Sequence, residues 1–380
     1  MFKCCTPSED EQHRKERYQR HRDIQEYRGQ LKCLLVGTPG SGKSTFLKQL
    51  KILCGGGYSP EERKSFTSEV HSNLVRGIQT LICSMETLNL EYGNPEICST
   101  LAALFEDSDD VILDAQRVNA VQTLWADRGI QEAWARRNES PNLQDTVSYF
   151  FEHIERIGSV GYMPSDEDIL RVYTPSDGCI AEHRFEMETE TCTFIEISYQ
   201  LRDQKNWLNF DGFDVPILFF VPLNGFNATI DGGDDGATGV QAFQTENVEP
   251  LFESAINFSW FNDYGDKCSR MIDQSKDLFR RITSNWSRRH RGMMLFFSKR
   301  NLLDEDMTEH YAEFLTTNSS GFQIMGHGMG SIEQCVYSML NQGGKRSNVS
   351  EFVTACLINT QEVRASLCYV KGYILDAYWL

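Results

Sequence analysis

The spacing of apolar residues changes period along the chain, and each change marks an element. Leu31 to Val36 (LKCLLV) is a short continuous apolar run that ends in Gly37-Thr38-Pro39-Gly40-Ser41-Gly42, so it reads as a buried strand entering a turn. A helical pattern starts at Lys43-Ser44-Thr45, with Phe46, Leu47 and Leu50 as its first apolar face. Ser59-Pro60-Glu61-Glu62 has the makings of a second helix start: a serine cap, proline in the first turn, and acids that complement the helix dipole. From there to about Ile169 the period stays helical, through Val70, Leu74, Ile78 and Leu81, then Val118, Val121, Leu124 and Trp125, then Val147, Phe150, Phe151 and Ile154. An all-helical block of this length is too big for a loop. It reads as a domain inserted into a strand–helix fold.

Beyond the block the pattern reverts to strands. Cys179–Glu188 and Thr191–Ser198 read as adjacent strands. Val215–Val221 and Met293–Phe297 are continuous apolar runs, as strands covered by helices on both faces should be. Glu351–Ile358 is the last strand candidate. Helical patterns lie at Gln274–Ile282, Ile332–Leu340 and Val363–Leu375, where Val363, Leu367, Val370 and Ile374 form a buried stripe, with a tail at Asp376–Leu380. This alternation predicts a doubly wound α/β domain. Asp231-Gly232-Gly233-Asp234-Asp235-Gly236 reads as a flexible acidic loop.

Composition narrows the class. At 380 residues the chain has room for two packed domains, and 40% hydrophobic with 24% charged residues is ordinary for a globular protein. A formal net charge of −17 argues against a nucleic-acid partner, which demands a basic face. The 12 cysteines show no C-x-x-C pair, and Cys33, Cys192 and Cys356 sit in apolar stretches, which predicts reduced core thiols and an intracellular setting. No apolar run reaches the roughly 20 residues that span a bilayer. Residues 1–30 form a charged, helical arm whose start lacks the apolar core of a secretory signal. Within it Cys4 and Cys5, beside Lys3, suit reversible S-acylation, while Phe2 excludes N-myristoylation.

The chemistry concentrates at the first turn. Gly37, Gly42, Lys43 and Ser44 occupy the fixed positions of G-x-x-x-x-G-K-[ST]. Glycines let successive backbone N–H groups converge on one anion, and the following helix N-terminus adds partial positive charge. Lys43 supplies a point charge to the outer phosphates and the Ser44 hydroxyl a Mg²⁺ ligand. A glycine-rich turn that binds nothing would explain the glycines but not the adjacent Lys-Ser.

The order of phosphate loop, inserted helical block and remaining sheet resembles the α subunit of heterotrimeric G proteins. The stretches LKQLKIL, GYSPEERKSF, LQDTVSYFFEHIERI, YMPSDEDILR and LFRRITSNW carry the resemblance. It spans nearly the whole chain and weakens between Asn224 and Asp273, where this sequence is longer than the family. It implies a P-loop, Ras-like GTPase domain (31–60 and 171–380), an inserted helical domain (61–170) and the N-terminal arm (1–30). It also implies GTP or GDP with Mg²⁺ as ligands. Phosphate and ribose contacts would come from Gly37, Thr38, Gly40, Ser41, Gly42, Lys43, Ser44 and Thr45, then from Asp145, Thr146, Leu170 and Arg171.

The remaining nucleotide motifs are in place but altered. The family's L-R-T-R, with its catalytic arginine and a later Mg²⁺-binding threonine, aligns without gaps to Leu170-Arg171-Val172-Tyr173 and Ser176-Asp177-Gly178. Tyr173 then replaces the arginine and Ser176 the threonine. A shifted register puts Arg171 and Thr174 in those roles. D-V-G-G-Q aligns with Glu196-Ile197-Ser198-Tyr199-Gln200, so Gln200 would orient the attacking water, Glu196 keeps a carboxylate near the metal, and Tyr199 replaces a glycine. N-K-x-D aligns with Ser298-Lys299-Arg300-Asn301, and the T-C-A-T-like loop with Ala355-Cys356-Leu357-Ile358, where Leu357 offers a backbone N–H to the base. The implied partners are a βγ dimer, a receptor reached through the C-terminal helix, an effector, and the cytoplasmic face of the plasma membrane. Three readings stand at this point: a signal-transducing α subunit with slow hydrolysis, a pseudo-GTPase interaction module, and a P-loop small-molecule kinase, which would need a mobile arginine-bearing lid.

Overall fold

The computed structural model describes residues 31–105, 113–137, 143, 145–174, 180–187, 190–197, 215–226, 229–230, 269–284, 292–303, 333, 336–337, 340 and 349–379. Cys4, Cys5, Ser176, Tyr199, Gln200 and the Asp231–Gly236 loop lie outside the described residues, as does most of Ile332–Leu340.

The first strand, β1 (Leu31–Gly37), is buried along nearly its whole length, and α1 (Lys43–Cys54) follows the glycine turn. Ser59 starts α2 (Pro60–Thr87) with a reciprocal capping box: Glu62 N–H donates to Ser59 Oγ at 3.2 Å, and Ser59 N–H to Glu62 Oε2 at 2.9 Å. The helices α3 (Pro95–Ala102), α4 (Ala115–Trp125), α5 (Arg128–Ala135), α6 (Val147–Glu152), α7 (Ile154–Ile157) and α8 (Asp166–Arg171) complete the block. Their apolar stripes meet in one core, including Val70, Leu74, Ile78, Leu81, Val121, Leu124, Phe150, Phe151 and Ile154. Val172, just past α8, is buried in that same core.

After the block come β2 (Ile180–Met187), β3 (Glu190–Ile197) and β4 (Ile217–Pro222). A short pair, β5 (Thr229–Ile230) with β6 (Ser269–Arg270), precedes α9 (Met271–Ser284), and then β7 (Met293–Ser298), β8 (Val349–Thr354) and α10 (Thr360–Trp379) follow. Six strands form the main sheet in the order β2-β3-β1-β4-β7-β8, all parallel except β2, which pairs antiparallel to β3. Successive β1 side chains alternate between two cores, Leu34 and Val36 facing α9 residues Leu278, Phe279 and Ile282, and Cys33 and Leu35 facing α1 and α10. Phe46 anchors the second core, with its ring 5.8 Å from Phe194 and 5.4 Å from both Phe220 and Phe296.

Two element ends lie four residues from the sequence reading. The last strand stops at Thr354 rather than Ile358, because Ala355 N–H still donates to Phe297 O but Cys356 N–H turns to Glu362 Oε2. The expected tail at Asp376–Leu380 is helical as far as Trp379, held there by Tyr378 against β1. Among the described residues no helix is long and apolar enough to cross a membrane.

Candidate functional site

Because β1, β3, β4, β7 and β8 run parallel, their C-terminal ends open on one edge of the sheet, where doubly wound folds bind ligands. The loop between β1 and α1 sits at that edge. Gly42 takes a left-handed conformation (φ 99°), and a Cβ there would lie 2.4 Å from Leu357 Cδ1, so only glycine suits this corner. Lys43 is buried and folds back over the loop, its Nζ donating to Gly37 O at 2.8 Å and Thr38 O at 3.0 Å. Burial lowers its pKa to about 8, while the Glu196 carboxylate pulls the other way. A buried ammonium satisfied mainly by neutral oxygens, inside a cradle of backbone N–H groups, fits a polyanion such as a triphosphate.

The metal-site residues predicted from sequence meet in part. Ser44 Oγ donates to Glu196 Oε1 at 3.3 Å, bringing a hydroxyl and a carboxylate from α1 and β3 together. Two hard oxygen ligands suit Mg²⁺, which keeps waters and phosphate oxygens as its other ligands. Among the described residues no group of three or more His, Cys, Asp or Glu could hold a metal ion unaided. His183 on β2, absent from the sequence reading, brings Nε2 within 3.9 Å of Glu196 Oε2; burial lowers its pKa and Glu196 raises it.

The base-side segments join the same edge. Ser298 Oγ donates to Ser41 O at 2.7 Å, tying the end of β7 to the phosphate loop. Gln49 on α1 donates to Leu357 O at 2.8 Å, tying the loop after β8 to the same helix. Lys299 adopts φ 59° and opens a 3₁₀ turn (Arg300–Leu302) that carries Asn301, which is exposed. Cys356 Sγ donates to Asn301 Oδ1 at 3.2 Å.

The helical block closes over this edge. Lys299 Nζ lies 2.8 Å from Asp145 Oδ2, which also accepts from Asn224 Nδ2 at 3.2 Å. Thr146 Oγ1 donates to the main-chain oxygen of Arg171 at 3.1 Å. Lys48 Nζ reaches from α1 to Ile169 O (3.0 Å) and Val172 O (2.7 Å), and burial lowers its pKa to about 8.

At the finger segment, Arg171 lies over the Tyr149 ring, 4.0 Å from its centroid, and bonds Glu167 O at 3.0 Å. Leu170 is buried beside it. Tyr173 is held through its backbone: its N–H donates to Asn73 Oδ1 at 2.7 Å, and its C=O accepts from Asn73 Nδ2 at 2.8 Å. Thr174 Oγ1 bonds Glu69 Oε2 at 3.2 Å. Tyr173 of one register and Arg171 and Thr174 of the other thus contact helices of the inserted block, while Ser176 lies outside the described residues.

Sequence reasoning missed Lys48, Gln49, Asn73 and Asn224. For Gln49 a signal existed: it falls among Phe46, Leu47 and Leu50, and a polar residue within an apolar cluster must find a partner. The others depend on contacts from 79 to 124 residues away.

A comparison with protein-family models matches the G-protein alpha subunit family over residues 7–374.

Proposed function

The chain belongs to the G-protein alpha subunit family, and from that premise we propose that it is a membrane-associated signal transducer with weakened guanine selectivity and slow hydrolysis. Family membership makes it a guanine-nucleotide-binding α subunit of G-protein signalling with a Ras-like and a helical domain. The finer reading is supported chiefly by one arrangement: a buried Lys43 in a glycine cradle, with Lys299 and Asn301 following a strand end bonded to that loop and Leu357 bonded to the helix after it.

In this reading residues 61–170 are the helical domain and residues 31–60 with 171–380 the nucleotide-binding domain. Gly37 to Thr45 hold the phosphates. Ser44, Ser176 and Glu196 serve Mg²⁺, which when bound offsets phosphate charge. Asp145, Thr146, Leu170 and Arg171 line the ribose side, and Gln200 orients water. Tyr199 restricts the switch backbone, and Tyr173 leaves the arginine position without a cation. Cys4 and Cys5 carry acyl chains to the cytoplasmic face of the plasma membrane, where two chains, or one plus the basic arm, give stable attachment. A βγ dimer, a receptor contacting α10 and an effector are the partners.

Asn301 carries the selectivity argument. A carboxylate here would accept two N–H bonds from guanine, whereas an amide has one acceptor end and one donor end. Losing a bond to a charged group costs about 1.5–3 kcal/mol, and an opposed buried donor about 1–3 more, so guanine preference falls by about two to four decades. Xanthine has a carbonyl where guanine has its amine, so it gains ground. Competition binding of guanosine, xanthosine and adenosine diphosphates tests this, with Asn301→Asp as control. We expect xanthosine to compete well and Asn301→Asp to restore guanosine preference. Strong guanosine preference unimproved by Asn301→Asp would overturn the selectivity reading. Failure to bind any of the three would favour the interaction module, for which the altered Tyr173, Tyr199 and Asn301 already speak.

A further inference from the structure

We propose that Cys356 is a positioning residue for base selectivity: its thiol fixes which end of the Asn301 amide meets the purine. The inference rests on the proposed reading of Asn301 and Leu357 as base-facing groups, and adds what decides between 2-oxo and 2-amino purines there.

The thiol is held in place by its own main chain. Cys356 N–H donates to Glu362 Oε2 at 2.9 Å, and Cys356 O accepts from Asn359 N–H at 2.9 Å. Glu362 is held in turn by Asn359 Nδ2 at 3.0 Å. From this fixed point Sγ–H reaches Asn301 Oδ1 at 3.2 Å. Cys356 is 8% exposed, and burial raises its pKa, so the sulfur keeps its proton at neutral pH and remains a donor. Asn301 itself is exposed on a three-residue 3₁₀ turn, so among the described residues the thiol contact is what sets the orientation of its amide.

Donor and acceptor chemistry does the rest. A carbonyl oxygen has two lone pairs, so Oδ1 can accept from the thiol and from one further donor. With Oδ1 turned toward the Cys356–Leu357 loop, the NH₂ end lies on the far side. A purine whose 6-oxo group meets the Leu357 N–H has that oxygen against the same loop. Its ring N–H then falls to Oδ1 and its 2-substituent to Nδ2. A 2-oxo group accepts that N–H, whereas a 2-amino group opposes donor to donor. Were the amide free to turn over, its oxygen would accept from a 2-amino group and its NH₂ would oppose the ring N–H instead. Both amide orientations thus leave guanine with one opposed pair, and only the thiol-held one satisfies xanthine. The thiol thereby favours xanthine over guanine by holding the orientation that xanthine alone can use.

The test is the ratio of equilibrium affinities for xanthosine and guanosine diphosphates in the full chain. Cys356→Ala removes the donor and should lower the xanthosine-to-guanosine ratio about threefold to tenfold, the worth of one hydrogen bond. Cys356→Ser restores a donor and should hold the wild-type ratio. In an Asn301→Asp background the same Cys356→Ala change should leave the ratio alone, because a carboxylate has no donor end to orient. Should Cys356→Ala fail to fold, Cys356→Val is a donor-free replacement of similar size. An unchanged ratio in the donor-free variant, with the wild type favouring xanthosine, overturns the role of Cys356. A wild type without xanthosine advantage, insensitive to Asn301→Asp, instead overturns the base-facing reading on which it rests.

Discussion

Tyr173 is gripped through its backbone, with Asn73 bonding both its N–H and its C=O. A side chain substituted at this position therefore inherits a fixed starting point on the inserted block, which makes it a fair place to test the missing cation. An arginine that stabilises charge on the transferring phosphoryl group is worth a rate factor of about 10³–10⁵ in GTPases, this family included. Tyr173→Arg should accelerate single-turnover GTP hydrolysis by at least about tenfold, since the new guanidinium lacks the supporting bonds of an evolved one. An unchanged rate in Tyr173→Arg, together with a collapse in Arg171→Ala, would assign the finger to Arg171. Residues of this kind divide sharply in how legible they are. Gly42, Lys43 and Ser44 are readable because their chemistry is local to the eight residues Gly37–Ser44. Asn73 is not, since its partner lies 100 residues away and nothing in its neighbourhood marks it.

Elements were readable where local chemistry sets their ends and misread where a distant contact does. Ser59, Pro60 and Glu62 announce the start of α2, and the capping box forms between those same residues. The apolar run through Thr354 and beyond gives no sign that Cys356 N–H will leave the sheet for Glu362, so the sequence pattern runs four residues past the end of the strand. The end of α10 was likewise hidden, because it is held by β1. Leu34 N–H donates to Pro216 O on the β4 side, and pairing with β4 begins at Leu34 opposite Ile217. Groups two residues apart in a strand face the same neighbour, so Lys32 presents its N–H and C=O to that side before β4 has begun. The Tyr378 hydroxyl takes both, accepting from Lys32 N–H at 3.0 Å and donating to Lys32 O at 3.1 Å. One phenol thus stands in for a strand residue. Tyr378→Phe removes that partner from a buried donor and acceptor and should cost about 1–3 kcal/mol. The denaturation midpoint should fall accordingly, with faster hydrogen exchange at the Lys32 amide. A variant with wild-type stability and exchange would show that the hydroxyl contributes nothing.

At the scale of the molecule, the helical block and the sheet are packed around separate cores and meet through a few polar contacts. Asp145 makes one of these, accepting from Lys299 Nζ at 2.8 Å and Asn224 Nδ2 at 3.2 Å. Lys48 makes another, to the carbonyls of Ile169 and Val172. Both flank the edge where the nucleotide is proposed to sit, so release requires them to part. Interdomain surfaces joined this way favour relative motion over rigidity. The Lys299–Asp145 pair is only about a fifth exposed on each side, so it is screened less than a surface pair and should be worth about 1 kcal/mol. Asp145→Ala should therefore speed dissociation of a prebound, fluorescently labelled nucleoside diphosphate by about fivefold. Lys299 also lies on the base side, which offers a second route to the same result. The two routes separate in the equilibrium data. A clamp that only opens and closes raises the association and dissociation rates together and leaves the ratio of xanthosine to guanosine affinities where it was. If the ratio shifts instead, Asp145 acts by steering Lys299 against the base; if neither rate changes, the contact holds nothing shut.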